Sequence, residues 1–224
     1  MGYNNRCWYY SCCKKANTRD CTAYCVKYLE MLTMFEKSNL PKKWWKPISL
    51  IANEDVKAFE RLSEIKSHIV DFVDKGRNIY IYSQNYGNGK TSWAVKLLSA
   101  YFDRTWYGNG FKCKGLFIDS TQFLTRKKGL ITKIDEQYLA LEKMAQNVNL
   151  AVWDDISACK LTDYDFQTLY TPINSRMFSG KSNIFTGAAD RQQLEYYLGP
   201  ILASKIWNNC EVIEFKNLDM RGVL

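Results

Sequence analysis

The 224-residue sequence lacks any run of eighteen or more apolar residues, the length that a membrane-spanning helix requires. Its first six residues contain no apolar core of the kind that a secretory signal carries. We therefore expect neither membrane insertion nor secretion, and we predict a cytoplasmic protein. Histidine is also scarce: His68 is the only one in the chain, which excludes acid–base catalysis by a pair of imidazoles.

A glycine-rich segment has the pattern of a phosphate-binding loop. A short apolar run at residues 79–82 is followed by Gly-Asn-Gly-Lys-Thr-Ser and then by a helical pattern of apolar residues. Glycines let successive N–H groups face an anion, and the N-terminus of the helix adds partial positive charge. The predicted ATP-binding residues of this loop are Gly87, Asn88, Gly89, Lys90, Thr91 and Ser92.

Two of these residues have predicted chemical roles. Lys90 is expected to reach the β- and γ-phosphates of ATP, and the Thr91 hydroxyl is expected to hold Mg²⁺. One position departs from the usual spacing, because Gln84 stands where the motif has glycine. The alternative interpretation is a plain turn between a strand and a helix.

A second motif lies downstream, where the apolar run Asn149-Leu-Ala-Val-Trp ends in Asp154 and Asp155. A continuous apolar run of this kind is typical of a buried parallel strand. Asp154 is predicted to orient Mg²⁺ through water, and Asp155 to position or deprotonate the attacking water. Glutamate is more usual than aspartate at the second place, so we expect slow hydrolysis. Taken alone, the motif indicates only that a strand ends.

From Asn78 onwards the chain alternates strands and helices, which predicts an α/β fold with a parallel sheet flanked by helices. A further helix is predicted from Glu54 to about Phe72. The predicted strands are Ile79–Ser83, Gly115–Asp119, Leu150–Asp154, Asn183–Thr186 and Glu211–Phe215, and the helices between them are Thr91–Phe102, Asp135–Gln146, Asp165–Phe178 and Arg191–Leu198.

Five of the eight cysteines lie in the first 25 residues. In a reducing compartment disulfides are not expected, so the cluster predicts a structural Zn²⁺ site with four thiolate ligands. The predicted ligands are Cys7, Cys13, Cys21 and Cys25, with Cys12 as an alternative to Cys13. A set of free thiols or a redox sensor is the other interpretation.

The net charge of +8 favours an acidic partner, with nucleic acid first, although a role in solubility alone is the alternative. Residues 1–50 hold nine basic and three acidic residues, interleaved with the aromatic residues Trp8, Tyr9, Tyr10, Trp44 and Trp45. These aromatics suit base stacking, packing round a metal or docking of a protein partner, and we favour docking. Pro41 and Pro47 mark a linker, so we predict a head at 1–37, a linker at 38–53 and a core at 54–224.

The segment from Ser120 to Gly129 follows the second predicted strand and carries Arg126, Lys127 and Lys128 in succession. In a nucleotide-driven motor this position holds a loop that faces a central channel. The three charges would suit a nucleic-acid backbone there. A solvated turn is the alternative interpretation.

The order of these motifs resembles the AAA+ helicase loaders of the DnaC/DnaI type, including versions carried by phages and mobile elements. The cysteine-rich head followed by Ser-Asn-Leu-Pro is similar to phage members. The segments that carry the resemblance are Gly-Asn-Gly-Lys-Thr at 87–91, Val-Trp-Asp-Asp-Ile at 152–156, Ser-Asn-Ile-Phe-Thr-Gly at 182–187, Leu-Gly-Pro-Ile-Leu-Ala-Ser-Lys at 198–205 and Asp-Met-Arg at 219–221.

The resemblance implies a P-loop AAA+ (RecA-like) core, and the end of the chain soon after Arg221 implies that the helical lid is missing. The strand at 182–187 corresponds to the sensor 1 strand; its polar tip is Thr186, which is expected to bind the nucleotide, and the usual amide is absent. Lys205 stands where the family has an arginine finger that reaches a neighbouring subunit, and Arg176 is another candidate for that contact.

By the same resemblance, the protein loads a hexameric replicative DNA helicase onto single-stranded DNA in replication. ATP, Mg²⁺ and Zn²⁺ are the expected cofactors, and the protein is expected to self-associate through its ATP interfaces. If it is phage-encoded, it acts in the cytoplasm of the bacterial host. The alternative is an ATPase helper of transposition of the IstB type, and a metabolic P-loop kinase is a distant third.

Overall fold

A computed structural model of the chain describes residues 7, 13–16, 18–46, 48–108 and 110–216. Its centre is a parallel sheet of five strands in the order β2-β3-β4-β1-β5. The strands are β1 Asn78–Tyr82, β2 Gly115–Asp119, β3 Leu150–Asp154, β4 Ser182–Gly187 and β5 Glu211–Glu214. The predicted α/β fold with a parallel sheet is therefore confirmed.

The helices cover both faces of this sheet. They are α1 Val26–Lys37, α2 Val56–Ser67, α3 Ile69–Asp74, α4 Lys90–Thr105, α5 Ser120–Gly129, α6 Glu136–Asn147, α7 Asp163–Phe178, α8 Arg191–Leu198 and α9 Pro200–Asn209, with a 3₁₀ helix at Lys42–Trp44. In the described part of the chain, every helix is too short or too polar to span a bilayer.

Two predicted elements differ from the structure. The single helix expected from Glu54 to Phe72 is two helices, because His68, with φ −116° and ψ 30°, breaks the helical backbone between α2 and α3. The predicted loop from Ser120 to Gly129 is the helix α5. Asp119 caps this helix, since its carboxylate accepts a hydrogen bond from the backbone N–H of Gln122 (N···O 2.9 Å).

Side chains of each strand alternate between two hydrophobic layers. Ile79 and Ile81 of β1 belong to the layer formed with α1 to α4, whereas Tyr80 belongs to the layer formed with α6 to α9. This period of two is what an extended strand imposes. Because all five strands are parallel, their carboxyl ends lie at the same end of the sheet, and the loops that follow β1, β2, β3 and β4 meet there.

Helix α1 belongs to the same hydrophobic layer as the central helix α4. Met31, Met34 and Phe35 are buried in that layer, and the ring of Phe35 packs edge-on against Phe102 (centroids 5.9 Å apart). The predicted head, residues 1–37, thus contributes a helix to the core of the protein. Its boundary with the linker stays a prediction.

The segment after α1 is bound to the free edge of the sheet. The N–H of Phe117 in the edge strand β2 donates to the carbonyl of Ser38 (2.8 Å), and Asn39 Nδ2 donates to the carbonyl of Phe117 (3.0 Å). Asn39 has a φ of 58°, in the left-handed region that asparagine tolerates better than most residues. This pairing covers part of an edge that would otherwise expose backbone groups.

We predict that Asn39→Ala lowers the free energy of unfolding by about 2 kcal/mol, from one lost hydrogen bond and from a left-handed backbone that alanine disfavours. Asn39→Gly also removes the side-chain donor, but glycine tolerates the left-handed backbone, so the free energy of unfolding should fall by less than in Asn39→Ala. Urea denaturation of both variants measures these losses. Wild-type stability in both would show that the side-chain hydrogen bond of Asn39 contributes nothing.

Candidate nucleotide site

The phosphate-binding loop connects β1 to α4. Gly87 has a φ of 70° and Gly89 a φ of 96°, both in the left-handed region where a side chain is disfavoured. Gly89 is the N-cap of α4 and offers no side-chain acceptor to the N–H groups of the first turn. An anion at the N-terminus of α4 would accept hydrogen bonds from these backbone N–H groups and interact favourably with the helix dipole. The backbone therefore has the geometry predicted for a phosphate site.

Gln84, the departure from the motif, does not disturb the loop. Its φ is not positive, so this position does not need glycine. Its exposed side chain donates from Nε2 to Asp190 Oδ2 (3.2 Å), which links the loop to the segment that follows β4. The glycine that the usual spacing requires is therefore dispensable here.

The side chain of Lys90 lies inside the loop and is only 8% exposed. Its ammonium donates to the carbonyl of Asn85 (2.9 Å) and to Asn88 Oδ1 (3.2 Å). Asn88 in turn donates from Nδ2 to Ser83 Oγ (2.5 Å). The phosphates of a bound nucleotide would compete with these neutral acceptors for the ammonium, and a charged acceptor forms the stronger hydrogen bond.

The two predicted Mg²⁺ residues, Thr91 and Asp154, are brought together from α4 and β3. The Asp154 carboxylate is 9% exposed and accepts a hydrogen bond from Thr186 Oγ1 (2.6 Å) and another from Thr91. Burial raises the pKa of Asp154 to about 6. Hydroxyl and carboxylate oxygens are the donors that Mg²⁺ prefers, so this pair fits that cation.

Asp155 stands beside the same site with an unusual backbone. Its φ is 51°, and its N–H donates to Thr186 Oγ1 (2.9 Å). Burial raises the pKa of its carboxyl above the ordinary value, while the positive charge of Lys90 acts in the opposite direction. Asp155 and Lys90 line the same cavity.

Asp119 is a site residue that sequence reasoning missed. It ends β2, lies in register with Asp154 and raises the pKa of both Asp154 and Asp155. The signal was present, because β2 is also an apolar run that ends in an acid. Three carboxylates and one lysine thus line the same cavity, an excess of negative charge that a divalent cation would reduce.

A cavity of about 750 Å³ joins these groups, a size typical of ligand sites. Its polar wall is the phosphate loop with Asp119, Asp154 and Asp155. Its apolar wall comes from the predicted linker and from α2. The residues of this apolar wall include Pro41, Trp44, Ile48, Leu50, Ile51 and Phe59.

The role of the linker was missed because its contacts are distant in sequence. Trp44, predicted to dock a partner or stack on bases, is half-buried and lines the cavity, with the Lys43 ammonium 5.3 Å from its ring centroid. Trp45 instead packs on Phe35 (5.9 Å) and donates to the carbonyl of Leu40 (2.9 Å). The other aromatic residues of the predicted docking region, Trp8, Tyr9 and Tyr10, lie outside the described residues.

Thr186 was predicted to contact the nucleotide, and the structure places it differently. Its side chain is fully buried, and within the described part of the chain it is not among the residues that line the cavity. Its hydroxyl bonds Asp154 and the backbone of Asp155 instead. Thr186 therefore contacts two residues that line the cavity without lining it itself.

Arg176, predicted as a candidate finger, is incompatible with that role. The residue is 0% exposed, and its guanidinium donates to Asn183 Oδ1 and to the carbonyls of Ala145, Val148, Asn149 and Ser182. A guanidinium enclosed in this way cannot reach another subunit. Its function is to hold α6, α7 and β4 together.

Lys205, the other candidate finger, lies on α9 and is half-buried. Its ammonium is 5.9 Å from the ring centroid of Tyr170 on α7. A contact with a neighbouring subunit stays a prediction. The terminal segment with Arg221 lies outside the described residues.

The three charges predicted to face nucleic acid are paired within the chain. Arg126 binds both carboxylate oxygens of Asp135 (2.8 Å each). Lys127 pairs with Glu142 (2.7 Å), and Lys128 with Asp165 (2.8 Å). These ion pairs fasten the helix α5 to α6 and α7, which favours a structural role for the three residues. Their predicted contact with nucleic acid stays a prediction.

The predicted zinc ligands are not assembled. Cys13 and Cys25 are exposed, whereas Cys7 and Cys21 are half-buried. Among the described residues, no three His, Cys, Asp or Glu side chains are grouped so that they could hold a metal ion. A Zn²⁺ site requires four ligands that converge on one point, and the structure does not support one here. Cys12 lies outside the described residues.

No protein-family model matches this sequence, and no curated protein is similar to it. Solved structures are similar in fold. The DnaC helicase loader shares 22% identity at a TM-score of 0.63, over 79% of this chain and 100% of that one. DnaI shares 17% identity at a TM-score of 0.59, over 80% of this chain and 95% of that one.

The replication initiator DnaA, bound to AMPPCP and single-stranded DNA, shares 16% identity at a TM-score of 0.58. The match covers 71% of this chain and 46% of DnaA, so this chain spans about half of that protein. At these identities the likeness shows the fold: the chain has an α/β core like that of AAA+ proteins.

We predict that Lys90→Ala weakens ATP binding about 10- to 100-fold, because it removes a charge-assisted contact to phosphate. Isothermal titration calorimetry with ATP and Mg²⁺ measures the change. Lys96→Ala is the matched control, since Lys96 lies on the same helix with its ammonium over the ring of Trp93 (5.0 Å). Equal affinities in both variants would refute the assignment of the loop.

We predict that Arg176→Met destabilises the fold by roughly 3–5 kcal/mol, since five acceptors, four of them buried, lose a donor together. Arg191→Met, at an exposed position that begins α8, should stay within about 0.5 kcal/mol of wild type. Denaturant titration compares the two variants. Equal stability would contradict the structural role of Arg176.

Proposed function

We propose that this protein is an AAA+ ATPase that loads a hexameric replicative DNA helicase onto single-stranded DNA. The observation that carries the proposal is the cavity where the phosphate loop, the Thr91–Asp154 pair and Asp155 meet. Lys90 and the N-terminus of α4 suit the phosphates, and the apolar wall with Trp44 suits a base. ATP with Mg²⁺ combines these chemical features.

Each residue of the site has a defined part in this proposal. Mg²⁺, when bound, would neutralise charge on the β- and γ-phosphates. Thr91 and Asp154 would hold it, and Lys90 would exchange Asn85 and Asn88 for the phosphates. Asp155 would orient the attacking water, for which its position next to Lys90 is suitable.

We propose that hydrolysis is slow and that ATP acts mainly as a switch. Asp155 has a shorter side chain than the usual glutamate, so its reach to a water is reduced. Bound ATP would close the interface between two copies, with Lys205 of one copy near the γ-phosphate of the next. Lysine carries the charge of the usual arginine but lacks its planar guanidinium, which can donate two hydrogen bonds to one phosphate. This difference again favours slow turnover.

The loader role is supported by the fold likeness to the DnaC helicase loader and to DnaI, both of which this chain matches over nearly their whole length. The DnaA structure with AMPPCP and single-stranded DNA links the same fold to both ligands. The net charge of +8 suits a nucleic-acid partner. We assign helicase docking to residues 1–37.

The test is native mass spectrometry of the protein with a hexameric replicative helicase, in the presence and absence of ATP and Mg²⁺. We expect a defined complex with the hexamer that ATP changes in stoichiometry or occupancy. Lys90→Ala should remove the ATP effect, whereas Lys96→Ala should retain it.

Failure to form any complex with the helicase would overturn the loader role. The transposition helper would then be the leading alternative. In that case, duplex DNA and a transposase should form an ATP-dependent assembly with the protein under the same conditions.

A further inference from the structure

We propose that Asn88 competes with bound nucleotide for the ammonium of Lys90 and thereby lowers the affinity of the phosphate loop for ATP. This inference rests on the proposed function, because it concerns the same nucleotide site. It gives a role to a side chain at a position that the phosphate-loop motif leaves open to any residue.

Three oxygens of the loop surround the ammonium of Lys90. It donates to the carbonyl of Asn85 (2.9 Å) and to Asn88 Oδ1 (3.2 Å), and at a longer distance to the carbonyl of Ser83 (3.5 Å). An ammonium group carries three protons and accepts none. The lysine is also buried. These uncharged oxygens therefore hold it within the loop before a ligand arrives.

The carboxamide of Asn88 is anchored at both of its ends. Nδ2 donates to Ser83 Oγ (2.5 Å), while Oδ1 accepts from Lys90. The reverse orientation would direct the amide N–H groups at the ammonium, which is a contact between two donors. Ser83 is 0% exposed and Asn88 is 4% exposed. Burial and the anchor on Ser83 together keep Oδ1 directed at the lysine.

Asn88 supplies the one acceptor of this set that a substitution can remove. The oxygens of Asn85 and Ser83 that face the lysine belong to the backbone, so any residue at those positions would provide them. The φ of Asn88 is not positive, unlike the φ of Gly87 and of Gly89. Another side chain can therefore stand at position 88 without backbone strain.

Nucleotide binding requires the lysine to give up contacts with the loop. A lysine in this motif reaches the β- and γ-phosphates, and two protons donated to them leave at most one for the three loop oxygens. The phosphate oxygens are the stronger acceptors because they are charged. Asn88 Oδ1 then loses this donor while it is buried, which costs free energy. The side chain of Asn88 thus opposes the step that binds ATP.

This competition suits a protein in which ATP acts as a switch. When hydrolysis is slow, the switch can be reset by dissociation of ATP. An acceptor that takes the lysine back as the phosphates leave favours dissociation. Asn88 would therefore keep nucleotide occupancy responsive to nucleotide concentration.

The test measures the Kd for ATP with Mg²⁺ by isothermal titration calorimetry in two variants of opposite effect. Asn88→Ala removes the competing oxygen and should bind ATP about 3- to 10-fold more tightly than wild type. Asn88→Asp has nearly the same shape but places a carboxylate on the ammonium, so it should bind ATP about 10-fold more weakly. Asn208→Ala, at an exposed position on α9, is the control and should match wild type.

A double-mutant cycle with Lys90→Met separates competition from a change in the shape of the loop. Without the ammonium there is nothing to compete for, so adding Asn88→Ala to Lys90→Met should change the Kd by less than about twofold. An equal gain of affinity in both backgrounds would contradict the proposal.

Unchanged or weaker ATP binding in Asn88→Ala would overturn the competition and leave the proposed function intact. If thermal melting shows that Asn88→Ala does not fold, Ser83→Ala removes the anchor and keeps Asn88, and it should also bind ATP more tightly than wild type. Absence of ATP binding in the wild-type protein would instead overturn the nucleotide site and the proposed function with it.

Discussion

Parallel pairing of β1, β4 and β3 is the constraint on which the site depends. The phosphate loop follows β1 and the two aspartates follow β3, and β4 lies between these strands. Neighbouring strands are about 4.8 Å apart, so the loop and the acids are separated by roughly 10 Å. That gap suits a phosphate and its cation. It also places the end of β4, with Thr186, where it can support both sides of the gap.

Packing of the N-terminal region on the core places the segment between α1 and α2 beside the candidate nucleotide site. Helix α1 packs on α4, Ser38 and Asn39 bind the edge of β2, and the following residues form the apolar wall of the cavity. The segment between α1 and α2 therefore contacts the helix that precedes it and also lines the cavity. In the proposed function, this continuity offers a physical route from ATP to the helicase-docking region.

Several basic residues that were predicted to bind ligands because of their charge are paired or enclosed within the chain. Arg126, Lys127 and Lys128 form a run that suits phosphate, but each has an acidic partner 9 to 37 positions away in sequence. Arg176 has the chemistry of a finger, yet five acceptors enclose it. An acidic partner or a shell of buried acceptors competes with a ligand for a charged side chain, and pairing over such distances is not readable from local pattern.

The sequence by itself determined the α/β alternation and the five strands nearly to the residue, and it singled out Lys90, Thr91, Asp154 and Asp155, which line one cavity. These features are local: apolar runs, glycine spacing and acids at strand ends. Tertiary structure alone decided the strand order, the inclusion of Asp119 and Trp44, the enclosure of Arg176 and the support that Thr186 gives to two aspartates. Those depend on which strands become neighbours, because a hydrogen bond needs two atoms within about 3 Å whatever their separation along the chain.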